Sequence, residues 1–210
     1  MNIKTNALKF SIAGFTTILA FVPLILVLTS FSRLDLPESF TKLLNRGQLN
    51  YYEPEAFTPI SVIENKQMNY EYALKHNTKN FEVRYAIRPL DELIKTYEKK
   101  EKNKKEGDIN IHPNKLYKTL LQSTTMNISS GYLPEIVVFD SLAVRQEFNA
   151  DWGATTYVEV GNAFGANYKY CITVAIHKNN VADAYFFFLS DNTENFDDVM
   201  LSAFHSLKFK

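Results

Sequence analysis

One cysteine, one tryptophan, four histidines and seven glycines in 210 residues put several kinds of protein out of reach. The single thiol, Cys171, cannot close an intramolecular disulfide or supply the several thiolates of an iron–sulfur cluster held by one chain. The histidines, at positions 76, 112, 177 and 205, fall on a turn, a loop, a strand end and a helix, with no two at a metal-ligand spacing. The sequence therefore predicts no metal site and no cofactor. An excess of one charge is missing too: 23 Lys+Arg balance 23 Asp+Glu, which excludes a basic nucleic-acid binder. No internal repeat is visible. What is present is 46% hydrophobic and 14% aromatic residues, enough to fill one domain core.

The acidic residues are unevenly placed, because none occurs in the first 32 positions, where Lys4 and Lys9 are the only charges. From Phe10 to Ser32 there is no charge at all, and the centre of that run is Ile18-Leu19-Ala20-Phe21-Val22-Pro23-Leu24-Ile25-Leu26-Val27-Leu28. As a helix the run would span about 35 Å, enough for a hydrocarbon core of about 30 Å. The same residues also parse as a signal peptide, with Lys4 and Lys9 before the apolar run and Ser30-Phe31-Ser32 as a small-x-small cleavage site. Residues 1–32 are thus a signal peptide or a single membrane anchor, and residues 10–32 hold the chain to a membrane if they are not cleaved. Either reading makes the remainder membrane-anchored or secreted, and extracytoplasmic. A cysteine there would be buried or open to intermolecular pairing, and the strand pattern around Cys171 favours burial.

Residues 33–56 read as a connector with a short helix. Asp35 can cap it, Glu38 stands three residues on, Phe40, Leu43 and Leu44 share one side, and Gly47 suits its end. The helix can be a juxtamembrane or partner-docking element, or a cap on the domain. Residues 57–210 read as a single α+β domain. Tyr70–Leu74 and Phe81–Arg88 predict a hairpin, the second strand alternating Phe81, Val83, Tyr85 and Ile87 with a wetter face of Glu82, Arg84, Ala86 and Arg88. Pro89 opens a helix with Leu90, Leu93, Ile94 and Tyr97 at helical spacing. The lysines from Lys99 to Lys105 interleave Glu98, Glu101 and Glu106, a pattern that fits a solvated helix end and loop better than a nucleic-acid or lipid patch.

Pro113 starts another helix carrying Leu116, Tyr117, Leu120 and Leu121, Ile136–Phe139 is a short apolar run, and Ser141–Phe148 can form helical turns. Three β-rich runs follow, Thr155–Val160, Tyr168–Ile176 and Val181–Leu189, the last apolar on both faces and so expected at the centre of the sheet. A closing helix has Asp191 placed to cap it and Phe196, Val199, Met200, Phe204 and Leu207 as its stripe. Short connections imply a largely antiparallel sheet of about five or six strands packed with amphipathic helices, preceded by one N-terminal apolar helix.

The early hairpin, the C-terminal three-strand meander and a closing helix ending Ala203-Phe204-His205-Ser206-Leu207-Lys208-Phe209 resemble the PsbP-like α/β/α fold, in a bacterial-type member. The resemblance spans roughly residues 57 to 210 and rests on element order. It implies an accessory or binding protein without catalysis and names no partner.

No catalytic residues are singled out, because Glu135, Asp140, Glu147, Asp151, Glu159 and Asp183 are equal candidates for carboxylate chemistry. Asp191 to Asp198 has the composition of a calcium loop but lacks the glycine and closing glutamate, and helix capping accounts for it. The most distinctive string is Phe148-Asn149-Ala150-Asp151-Trp152-Gly153-Ala154-Thr155. It reads as a helix-to-strand corner, or as the lip of a binding surface for a protein partner or small ligand formed by Asp151, Trp152, Gly153, Tyr157, Asn162 and Phe164. The sequence thus favours an extracytoplasmic accessory or binding protein. The alternatives are a carboxylate-based, hydrolase-like enzyme and a structural subunit of a membrane-associated complex.

Overall fold

The last of the β-rich runs organises the molecule. Ala182–Ser190 has large apolar side chains at alternate positions on both faces, and all nine of its residues are buried. Only a strand with neighbours on both edges and layers on both faces can satisfy that pattern. The computed structural model describes residues 36–210, which form one compact unit. The apolar run 10–32 and Asp35, read above as anchor or signal and as helix cap, lie outside the described residues.

In chain order the elements are α1 (Glu38–Arg46), β1 (Leu49–Tyr51), β2 (Phe57–Pro59), β3 (Tyr72–His76), β4 (Phe81–Pro89), α2 (Asp91–Lys102) and, after one 3₁₀ turn at Pro113–Lys115, α3 (Tyr117–Ile128). There follow β5 (Ile136–Val138), α4 (Ser141–Phe148), β6 (Trp152–Glu159), α5 (Asn162–Gly165), β7 (Tyr170–Lys178), β8 (Ala182–Ser190), α6 (Glu194–Phe204) and β9 (Leu207–Phe209). Seven strands form one antiparallel sheet in the order β2-β3-β4-β8-β7-β6-β5, and β1 pairs with β9 in a separate ribbon. The fold is α+β. No helix among the described residues is long and apolar enough to cross a membrane.

The two sheet faces carry separate cores. One joins Phe81, Val83, Tyr85, Phe186, Phe188, Val174 and Ile176 to α1, α4, α6 and the β1–β9 ribbon. The other joins Ala86, Tyr185, Phe187, Cys171 and Ala154 to Leu121 and Ile128 of α3 and Phe164 of α5. Phe40 and Leu44 of α1 and Leu49 of β1 are buried in the first core, so residues 36–51, expected within a connector, are built into the unit.

Several local expectations are corrected. The polar face of β4 is not wet: Glu82 and Arg84 are both buried beneath the α5 layer, where they neutralise each other at 2.5 Å. α2 buries none of its own residues and leaves Leu93 exposed, because its apolar stripe finds no face to cover. The closing helix stops at Phe204, and Leu207 enters β9 opposite Tyr51. Asp191 makes no cap; α6 starts later, and Asn192 Oδ1 accepts the Glu194 N–H at 3.0 Å instead. Tyr51, within the expected connector, ends β1, and Phe57–Pro59 is the outermost strand on one side of the sheet.

Candidate functional site

The helix-to-strand corner is built by local chemistry. Asp140 Oδ1 accepts the N–H groups of Leu142 and Ala143 and starts α4. Asn149 ends the helix in the left-handed region, at φ 50°, and turns the chain into β6. At Gly153 a Cβ would lie 3.0 Å from the Phe139 ring and 3.2 Å from Val144, so a larger residue there would have to displace one of these side chains. Asp151 is exposed, and its Oδ2 accepts both the backbone N–H and the side-chain amide of Asn179, at 2.9 and 3.0 Å. It ties the corner to the β7–β8 turn.

Sheet register then places a polar row beside Trp152. Arg88 pairs with Asp183, Asp183 with His177, and His177 with Trp152, all on the face under α3. His177 Nδ1–H donates to Asp183 Oδ1 at 2.6 Å, and both side chains are buried. The Tyr117 ring stacks on His177 at 4.2 Å and leans on the Trp152 ring at 4.7 Å, closing the row from above. Arg88 Nη1–H donates to Glu71 Oε1 at 2.7 Å, while Glu71 Oε2 accepts the Ile87 N–H. Burial pushes the Glu71 carboxyl above its ordinary range, with Arg88 pulling the other way. Among the described residues Trp152 Nε1 is shut from solvent without a hydrogen-bond partner.

The other expected site residues lie elsewhere. Phe164 is buried, its ring 4.7 Å below the Arg84 guanidinium, with Tyr70 at 4.8 Å from the same group. Arg84 Nη1–H also donates to the Phe164 carbonyl at 2.5 Å, so Phe164 fastens α5 to the sheet. Asn162 is exposed at the start of α5. Tyr157 is on the opposite face of β6 from Trp152, about half exposed at 49%. The six residues thus occupy three places and do not form one lip.

Tyr157 belongs to a surface that sequence reasoning missed. Its ring stacks on Tyr170 at 5.9 Å and meets the edge of Phe196 at 6.3 Å. On the same face Val137 of β5, opposite Thr155, is exposed. β5 is the last strand on its side of the sheet, and the Phe139 N–H bond to Gly153 O fixes its hydrogen-bonding phase. By antiparallel alternation, the backbone groups of Ile136 and Val138 point away from β6 to the free edge. Tyr132 and Leu133 before the strand and Leu142 after it are also exposed. A bare edge with apolar flanks is what natural sheets ordinarily protect. The sequence signal was the run Ile136–Phe139, whose position at the edge only the sheet order reveals.

A third feature is an open groove of about 490 Å³ lined by Tyr52, Glu53, Glu147, Ser202, His205 and Lys208 among others. Glu147 Oε2 lies 2.9 Å from His205 Nε2, and the His205 ring stacks on Phe148 at 5.4 Å. Among the described residues no three of His, Cys, Asp and Glu converge as metal ligands. Cys171 is fully buried, and burial pushes its thiol up to about 12, the state of an inert structural cysteine.

The class defined by the described residues is an antiparallel sheet with helices on both faces, a largely buried polar row and an apolar edge strand at β5. No protein-family model matches the sequence, and no curated protein does. Among solved structures, the chain is similar to the solution structure of cyanobacterial PsbP (CyanoP) from Synechocystis sp. PCC 6803, with a TM-score of 0.39 and 11% identity, over 78% of this chain and 88% of that chain.

Proposed function

We propose that this chain is an extracytoplasmic accessory or binding protein, membrane-anchored or secreted, that receives a protein partner on the β5 edge and the adjoining Tyr157–Tyr170 face. One observation carries the reading: among the described residues the unpaired β5 backbone and exposed Val137 lie beside β6, whose Tyr157 stacks on Tyr170 on the same face of the sheet. Added strands are a recurrent mode of protein recognition, and apolar and aromatic side chains beside them supply specificity. The uncharged run 10–32 supports the compartment. In this reading Asp151, Trp152 and Gly153 set the start of β6, which positions Tyr157 five residues on.

A photocrosslinking residue at Val137, compared with one at exposed Leu201 on the outer side of α6, tests the surface in the source cell. A discrete protein adduct from Val137 and not from Leu201 is expected. No adduct, or the same adducts from both positions, would remove β5 as the interface. An adduct that survives purification as a fixed stoichiometric complex would mark the protein as a structural subunit of that complex.

The hydrolase-like alternative has one specific observation in its favour, the Glu147–His205 pair at the wall of an open groove. In that reading Glu147 orients His205 as a general base. It requires turnover of small esters that disappears in His205→Ala while the melting temperature is retained.

A further inference from the structure

The end of α2 and the loop behind it differ from the rest of the surface. Residues 95–105 hold six lysines against two glutamates, in a chain whose charges balance only as a whole. Alternating signs in the sequence suggest mutual neutralisation, yet the structure pairs few of them. Lys95 takes Glu92 at 3.0 Å, and Lys104 takes Glu101 at 3.1 Å. Glu101 is further engaged by the Asn110 side-chain amide at 2.7 Å, and this bond, with Lys104 beside it, holds its carboxyl below the usual range. Asp108 is exposed, and its Oδ2 accepts the Lys105 backbone N–H at 2.9 Å. Among the described residues Lys99, Lys100, Lys102 and Lys105 have no carboxylate partner, and all four are exposed. Glu98 and Glu106 are likewise exposed and, among the described residues, outside any ion pair.

The loop that follows α2 folds back along it. Asn110 Nδ2–H also donates to the Tyr97 carbonyl at 3.1 Å, and His112 meets the edge of the Tyr97 ring at 4.6 Å. This fold-back holds Ile109 outward among the lysines, 89% exposed, with Ile111 also exposed. The hollow beneath Ile109, about 250 Å³, is bounded by Lys100, Lys104 and Asp108. An isoleucine held almost wholly in water beside Lys100 and Lys104 has no packing role.

From this we infer that the α2 tip is a membrane-docking element, in which Ile109 enters the interfacial region of an anionic bilayer while Lys99, Lys100, Lys102 and Lys105 lie against its headgroups. Charge complementarity and shape choose the occupant. The cations are all lysines, compact point charges on flexible stems that suit a diffuse anionic surface, and no arginine fork is present between residues 89 and 144 for bidentate reading of a carboxylate or phosphate. A convex tip with one protruding aliphatic side chain matches a fluid interface, which closes around the side chain, better than a folded partner, which must offer a fitted pocket. Each lysine near an anionic leaflet strengthens binding by a factor of roughly five.

The full chain with Ile109→Cys, labelled with an environment-sensitive thiol dye, reads this directly, because fully buried Cys171 stays unlabelled. Vesicles of phosphatidylcholine with about one-third phosphatidylglycerol should shift the emission to the blue, and phosphatidylcholine vesicles should not. The shift should vanish in about 1 M salt, where the screening length is about 3 Å. It should also weaken by more than tenfold in lipid affinity when Lys99, Lys100, Lys102 and Lys105 are all changed to Glu, and be absent for dye at Leu201→Cys. No shift on the anionic vesicles, an equal shift on neutral ones, or a shift that survives charge reversal would overturn the inference. A shift on soluble polyglutamate without one on vesicles would also overturn it and assign the tip to an acidic polypeptide.

Discussion

The two faces of the central sheet are built on different rules, although the same strands supply both. On the side of α1, α4 and α6 the wall is almost wholly apolar: Phe186 and Phe188 are fully buried and stack at 6.0 Å, with Tyr85, Phe81 and Phe148 around them. On the side of α3 and α5 the same strands bury two polar pairs, Glu82 with Arg84 and Asp183 with His177, with half-buried Arg88 opposite Asp183. The apolar face is held by area removed from water, which has no direction. The mixed face is held by partners that must all be present, because an unpaired buried charge costs far more than a lost contact.

Removing area from the apolar face should give the largest effect. Phe186→Ala would open a cavity among Tyr85, Phe148 and Phe188 and cost about 3–5 kcal/mol. That is a large part of the 5–15 kcal/mol typical of a domain. A urea titration should show the midpoint falling steeply with unchanged slope. No second truncation nearby should restore it. A loss below about 1 kcal/mol would mean the two cores do not differ in the way argued.

On the mixed face the expectation reverses. His177→Leu leaves the Asp183 carboxylate buried without its 2.6 Å partner and should cost about 3 kcal/mol. Adding Asp183→Leu removes that orphaned charge, and replacing both members of a buried pair by apolar groups is often neutral or stabilising. The double variant should therefore recover most of the loss, and urea midpoints of the four proteins measure the coupling. Additive losses would show that the pair contributes net stability after desolvation.

These contrasts also mark what could be read before the fold was known. The period-2 alternation of Phe81–Arg88 and the two-sided apolar run ending β8 placed the central strands, because burial of a face leaves its period in the sequence. The His177–Asp183 contact was within reach, since a turn at Lys178-Asn179-Asn180 puts residues 177 and 183 opposite each other. β1, β2, β5 and β9 are three residues long, too short to carry a period, and their pairing is decided by distant segments. Arg84 and Phe164 are 80 positions apart, and nothing local to either says that one will clamp the other. The expected binding lip scattered for a similar reason. Trp152 and Tyr157 are five apart in one strand, and an odd separation sends them to opposite faces.

The finest distinction between the faces rests on the hydroxyl of Tyr85. It lies on the apolar side, fully buried, and donates to Ser206 Oγ at 2.9 Å, while Ser206 donates onward to the Ala203 carbonyl. Tyr85→Phe removes one donor and leaves Ser206 its own acceptor, so the loss should be about 1 kcal/mol, against about 3 for His177→Leu across the sheet. The same substitution has a pH signature. Burial raises the Tyr85 phenol above its ordinary value, so the folded chain keeps a proton that the unfolded chain releases. That contribution is complete below the unfolded phenol value of about 10 and is lost as pH rises towards the folded one. Stability of the parent protein should accordingly fall more steeply above about pH 10 than that of Tyr85→Phe, with thermal midpoints at successive alkaline pH values as the measure. Parallel curves would mean that Tyr85 gives up its proton as readily folded as unfolded, and that this face is wetter than its packing implies.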